Sequence, residues 1–149
     1  MLKRLQELPR FNSLKGFVDV LLKQKGDRIL SIILFGSMAK GNYTKHSDHD
    51  LLIVVSHEEL GFKDRLYEYS LPSNGWVEPF TYTKEEVKSM LNNFHPLILD
   101  CLKDGLVIYD RGLWGRLRAK FNEMLKKGIL TPKGNGWIIE ASALQSHSR

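Results

Sequence analysis

At 149 residues, with 42% hydrophobic and 26% charged residues, the chain has the composition of an ordinary soluble globular protein, long enough to bury a core as one domain. Its net charge of +5 is compatible with a polyanionic ligand such as a nucleotide or nucleic acid but does not require one. The one cysteine, Cys101, excludes an internal disulfide and a Cys-based zinc site; with no apolar signal stretch and no run near the ~18 residues of a membrane span, a cytoplasmic protein is expected.

The first strong pattern is "NSLKGFVDVLLKQKG". Leu14, Phe17, Val18, Leu21 and Leu22 recur at helical spacing, Asn12 or Ser13 offers an N-cap, and Gly26 a stop. "RILSIILFG" is apolar and β-branched and reads as a buried strand ending at Gly36. A turn into a short helix, "SMAKG", follows, then the loop "NYTKHS" and a second strand, "DHDLLIVVS", polar only at its start. "EELGFKDRLYEYSL" reads as helical and "PSNG" as a turn. "WVEPFTYT" alternates large and polar residues as a third strand. "TKEE" is a capping box from Thr83 to Glu86 that opens a helix reaching about Asn93. "HPLILDCLKDG" is a short helix stopped by Gly105, "LVIYD" a short strand, and "GLWGRLRAKFNEMLKKG" a basic helix ending at Gly128. The tail beyond it shows no clear periodicity, and its last residues are expected to be loose. The alternation predicts an α/β (α+β) domain. Its mixed sheet has about four strands, with helices mainly on one face. A core over about residues 12–110 is followed by a basic helix and tail over 111–149.

The chemistry concentrates between Leu34 and Val55. Asp48 and Asp50, at i and i+2, face the same side of a strand. Their carboxylates, about 6 Å apart, would repel by roughly 3 kcal/mol at an effective dielectric near 20, a load that a cation offsets. Upstream, Gly36 lets a phosphate approach the backbone, Ser37 offers a hydroxyl and an N–H at a helix start, and Lys40 adds a positive charge. Magnesium takes hard oxygen ligands from carboxylates and phosphates, and two ions about 3.5–4 Å apart clamp the attacking and leaving oxygens of an in-line displacement. A phosphate grip beside a carboxylate pair suits phosphoryl or nucleotidyl transfer.

The spacing G-S-x10-D-x-D, here Gly36-Ser37 and Asp48-His49-Asp50, resembles the signature of the DNA polymerase beta-like nucleotidyltransferase superfamily. Gly41 and Ser47 are present as in its small, stand-alone (minimal) prokaryotic and archaeal members. The close likeness covers about Ile32 to Val55, and a looser one runs to "DGLVIYD". The resemblance implies a nucleotidyltransferase fold and transfer of a nucleoside monophosphate from an NTP, ATP above all, to a hydroxyl of a protein, RNA or small molecule. It implies two Mg²⁺ (or Mn²⁺) ions at Asp48 and Asp50, with Gly36, Ser37, Lys40 and Ser47 on the nucleotide. It also implies a third carboxylate on a later strand, which would bind the catalytic metal and help deprotonate the acceptor. Glu78 is the candidate, although the family favours aspartate and Pro79 removes a ladder N–H; Glu68, Asp100 and Asp104 are the alternatives. Some family members pair with a HEPN-domain protein as a toxin–antitoxin system, so such a partner, or a homodimer that completes an open cleft, is an expectation here.

Two departures from the family stand out. Lys40 replaces a frequent arginine, which loses a bidentate fork, and His49 replaces an apolar residue. His49 points away from the aspartates in a strand and reads as a half-buried imidazole; His46 faces them only if the strand starts early. His57, His95 and His147 have no spaced partners. Arg111, Arg116, Arg118, Lys120, Lys126 and Lys127 read as a solvated helix face, with an acidic or nucleic-acid partner as the sharper reading. Trp76, Trp114 and Trp137 read as packing aromatics before base-stacking ones. "KGNGWII" fits either a lid or a docking segment. Two other classes compete with the enzyme: a nucleotide- or partner-binding protein of the same fold with little turnover, and a nucleic-acid module. The chain has no helix-turn-helix, RNA-recognition or zinc-finger pattern to support the last.

Overall fold

The computed structural model describes the backbone of residues 3–147 and the side chains of residues 3–144; the side chain of His147 and the last residues of the tail lie outside them. A one-turn helix α1 (Lys3–Gln6) leads into α2 (Phe11–Lys25) and β1 (Ile29–Phe35). Then come α3 (Ser37–Lys40), β2 (His49–Val55), α4 (Phe62–Ser70), β3 (Val77–Thr83), α5 (Lys84–Asn92), α6 (Pro96–Asp104) and β4 (Leu106–Asp110). The chain continues through α7 (Leu113–Lys126), β5 (Leu130–Lys133), β6 (Gly136–Ile139) and α8 (Ala141–His147).

Four strands form a mixed sheet in the order β3-β2-β1-β4. β1 runs antiparallel to both neighbours, and β2 runs parallel to β3. The parallel pair needs a crossover, which α4 supplies. β3 is an edge strand, so one of its sides carries no ladder, and Pro79 is accommodated there.

Side-chain alternation splits the core in two. Ile33, Leu52 and Val54 pack with residues of α5, α6 and α7 on one face. Ile32, Leu34, Leu51, Ile53 and Val55 pack with α1, α2 and Tyr69 of α4 on the other. Helices therefore cover both faces of the sheet, where the sequence reading puts them mainly on one. The reason is visible in "IILF" and "LLIVV": consecutive apolar residues put side chains on both faces, and both need cover.

Local signals account for most element ends. Thr83 Oγ1 accepts from the Glu86 N–H at 3.2 Å, and Glu86 Oε1 accepts from the Thr83 N–H at 2.7 Å. The same Glu86 carboxylate takes Arg65 Nη1 at 2.6 Å, which ties α4 to α5. The Thr83→Ala variant is expected to lose about 1 kcal/mol of stability in a denaturant titration, with the slope unchanged.

Two expectations are corrected. α2 starts one residue before Asn12, capped by the backbone of Arg10 with no side-chain cap, and Ser13 instead accepts from Asn74 Nδ2 at 3.2 Å. The tail after Gly128, which shows no clear periodicity in sequence, is also regular. β5 and β6 form an antiparallel hairpin closed by Gly134 and Asn135. Gly134 has φ +58°, at the first central position, where a type II′ turn requires glycine. Trp137 then packs edge-on to Phe121, centroids 5.7 Å apart, and its Nε1 donates to Asp100 Oδ1 at 2.9 Å. Among the described residues no helix is long and apolar enough to cross a membrane.

Candidate active site

The candidate site lies at the end of the sheet where β1 finishes and β2 and β3 begin. Asp50 is the second residue of β2, paired with Phe35 on one side and with Glu78 on the other. Asp50 shares a face with Leu52 and Val54, and Glu78 stands beside it in register, so both carboxyl groups emerge on the α5–α6–α7 face. Burial pushes the Asp50 carboxyl up to about 6, and the charges of Glu78 and Asp48 and a hydrogen bond with Glu78 push the same way. Two carboxyl groups can hydrogen-bond to each other only when a proton lies between them.

Asp48 differs from Asp50. β2 begins at His49, so no ladder holds Asp48, and its side chain is exposed. It acts on Asp50 through its charge. Among the described residues no group of three His, Cys, Asp or Glu side chains is gathered closely enough to hold a metal ion. The pair nonetheless fits a divalent cation chemically. It is a hard-oxygen donor set of like charges, and a cation would relieve the repulsion that helps to push the Asp50 carboxyl up. Asp50 and Glu78 would hold such an ion, with Asp48 reaching in from the loop.

Gly36 closes the other wall. It has φ +73° and ψ −153°, a region essentially reserved for glycine. A Cβ there would lie 2.5 Å from Asp50 Oδ2. The Gly36→Ala variant is therefore expected to displace the Asp50 carboxyl as well as strain the turn. It should lose about 1–3 kcal/mol of stability and most of its transfer activity, read by thermal melting and by label transfer from an NTP. Ser37 opens α3, whose last residues, Ala39 and Lys40, border a neighbouring cavity. Ser47 is committed to its loop: its Oγ accepts from the Thr44 N–H at 2.9 Å, and its carbonyl accepts from Arg10 Nη2.

The remaining candidates are placed as follows. His49 is buried, its Nδ1 3.3 Å from the Trp76 carbonyl, and burial lowers its pKa. His46 is exposed in the loop, its N–H on Thr44 Oγ1 at 3.2 Å. His57 sits on Ser56 Oγ, and His95 caps α6 through Nδ1. Glu68 pairs with Lys25 at 3.5 Å, Asp100 receives Trp137, and Asp104 lies at the end of α6. Of the tryptophans, Trp114 is in the core, Trp137 is on Phe121, and Trp76 lies under a guanidinium.

That guanidinium belongs to Arg10, which sequence reasoning missed. Its Cζ is 3.9 Å from the Trp76 ring centroid. Nη1 donates to the Lys45 carbonyl at 2.8 Å and Nη2 to the Ser47 carbonyl. One side chain thus joins the loop that delivers Asp48 to the residue two before Glu78. Its one sequence signal is weak: an arginine between Pro9 and an aromatic, with nothing to say that its backbone is left-handed.

A model of the nucleotidyltransferase domain matches residues 14–102, which contain Asp48, Asp50, Glu78 and the Gly36–Ser37 turn. The chain belongs to the nucleotidyltransferase domain family. Its enzymatic activity is nucleotidyl transfer. Two similar proteins of Methanocaldococcus jannaschii carry the names "Putative protein adenylyltransferase MJ1305" and "Putative protein adenylyltransferase MJ0604". The first is 28% identical over 142 residues, 86% of this chain and 92% of that protein. The second is 52% identical over 103 residues, 65% of this chain and 95% of that protein. Among solved structures, a "toxin-antitoxin with AMP-PNP" shares the nucleotidyltransferase fold at TM-score 0.51 and 14% identity, over 76% of this chain and 87% of that one.

Proposed function

We propose that this nucleotidyltransferase moves AMP from ATP to a hydroxyl group of a protein acceptor, with divalent cations at Asp50, Glu78 and Asp48. The observation that carries the reading is the register of Asp50 and Glu78 on adjacent parallel strands, with Asp50 Oδ2 in the space a Cβ at Gly36 would need. Divalent cations in this family's chemistry neutralise phosphate charge and orient the reacting oxygens. The chain's own groups do the rest. Gly36 and Ser37 present backbone and hydroxyl to the triphosphate, and the lack of a Cβ at Gly36 lets a phosphate lie close. Glu78, at the exposed edge of the sheet, takes the acceptor's proton. The acceptor oxygen attacks the α-phosphorus, the bond from that phosphorus to the bridging oxygen breaks, and pyrophosphate leaves with the electron pair. Positioning and charge neutralisation supply the rate.

Two lines support adenine as the base and protein as the acceptor. The relatives are named protein adenylyltransferases, and one of them is 52% identical. A protein of the same fold was solved as a toxin–antitoxin with AMP-PNP. A HEPN-domain toxin, the partner that the family resemblance implies, is the acceptor we favour.

Label transfer tests the reading. The purified chain is incubated with each α-labelled NTP and Mg²⁺ or Mn²⁺, with and without extract from its source, beside an Asp48→Asn/Asp50→Asn variant. Label from ATP on a protein band, with wild type only, is the expected result. Label on RNA or a small molecule moves the acceptor class. Metal-dependent NTP binding with no labelled product makes the chain a nucleotide-binding partner with little turnover.

A further inference from the structure

A cavity of about 630 Å³ opens where α1, α3, α6, β4 and α7 meet. Four cations line it, Arg4, Lys40, Lys103 and Arg118, against one carboxylate, Asp104. Among the described residues none of the four makes an ion pair; the pairs present lie elsewhere. Arg4 is fixed over α3 by Nη2 donating to the Ala39 carbonyl at 2.7 Å, and the rest of its guanidinium stays available. Lys103 leans on the hairpin, its Nζ 5.8 Å from the Trp137 ring centroid. Phe121 and Leu106 form part of an apolar wall behind these charges.

The cavity is separate from the carboxylate site. Gly36, Ser37, Asp48, Asp50 and Glu78 do not line it, and Lys40, at the far end of α3 from Ser37, is the one candidate nucleotide contact that does. It sits against β4, on the far side of β1 from β2 and β3. Unpaired like charges converging on one concavity repel one another, and an anion relieves that repulsion. The volume falls in the range of small-molecule sites, and an apolar wall beside cations suits a base or sugar joined to phosphate. An open hollow bordered by five elements, with its charges converging, favours a small anion over a flat protein surface.

We propose that this cavity is a second nucleotide site, which binds a nucleoside phosphate as acceptor or effector in addition to the donor. Only the word second rests on the donor reading above.

The test is calorimetric titration of the whole chain with ADP in EDTA at low salt, where a cation-dependent donor site contributes least. Wild type and Asp48→Asn/Asp50→Asn are expected to bind ADP alike. Lys103→Glu/Arg118→Glu should lose about tenfold or more in affinity, from two charge-assisted contacts. The milder Lys103→Gln/Arg118→Gln serves if melting shows the reversal to be unfolded. Adenosine should bind at least tenfold more weakly than ADP if phosphate is what the cations recognise. Absence of ADP binding in EDTA, equal binding of adenosine, or unchanged affinity in the folded charge variants each overturns the proposal. Mg²⁺-dependent ATP binding, measured separately, should fall in the double-aspartate variant alone. Loss of that contrast sinks the donor reading and leaves the cavity proposal intact.

Discussion

Asp50→Asn is expected to abolish nucleotidyl transfer and, without divalent cation, to make the fold more stable at pH 7. The two effects have one cause. The Asp50 carboxyl is held at about 6 against an ordinary 3.8, first by burial and then by Glu78 and Asp48. A folded-state pKa above the unfolded one means that the fold favours the protonated acid. Its stabilising contribution is complete below about pH 4 and is lost as pH rises through about 6. At neutral pH the wild type therefore carries a strained carboxylate. An asparagine keeps the shape, carries no charge and donates to Glu78. The gain should be about 1–2 kcal/mol, below the full linkage value because the group is partly solvated. That corresponds to a melting rise of about 2–8 °C. Transfer should fall by about 10³-fold, because the charge that holds the donor's cation is gone. Melting from pH 4 to 8 in EDTA, beside label transfer with Mg²⁺, reads both. The variant's advantage should vanish by about pH 4. A variant that is less stable than wild type at pH 7, or that transfers label at the wild-type rate, removes Asp50 from its assigned place.

Most of the fold was legible because its signals are local. "SIILFG" and "LLIVV" name their strands by β-branched content, the "TKEE" box fixes the start of α5, and Gly26 and Gly105 mark helix ends. What escaped is non-local or conditional. Asp48 and Asp50 look equivalent in sequence, but β2 starts between them, and Glu78 arrives beside only one of them through a parallel crossover. Nothing in either strand's sequence states that register. The hairpin of β5 and β6 did leave a mark, since Gly134-Asn135-Gly136 is turn chemistry. It went unread because "LTPK" carries a proline and little alternation, and because Trp137 is fixed by Phe121 and Asp100, residues far back in the chain. The two-sided covering of the sheet follows from the consecutive apolar residues of its two central strands, a pattern that burial on both faces requires.

Arg10 is the clearest case of a site residue invisible in sequence, and removing its side chain should slow turnover by about 10²-fold with little change in the KM for ATP. Arg10 touches neither donor nor acceptor in the proposed site. It acts on the loops that carry the carboxylates: Lys45 and Ser47 through their carbonyls, and Trp76 through its ring face. Asp48 has no ladder of its own, so this clamp is its principal restraint, and a shift of about 1 Å in a reacting group can cost about 10²-fold. The proposed grip on the donor, at Gly36 and Ser37, is on another turn, which is why KM should hold. The backbone of Arg10 has φ +56°, unfavourable by about 1–2 kcal/mol for a residue with a Cβ. That separates the two roles of the position. Arg10→Gly removes the clamp and relieves the strain; Arg10→Ala removes the clamp and keeps it. The glycine variant should be the more stable of the two by about 1 kcal/mol, yet both should show the same fall in kcat. Arg10→Lys keeps a cation over Trp76 but not the planar fork that bridges two carbonyls, so it should recover part of the rate. Full turnover in the glycine variant would show that Asp48 needs no clamp and that Arg10 serves the fold alone.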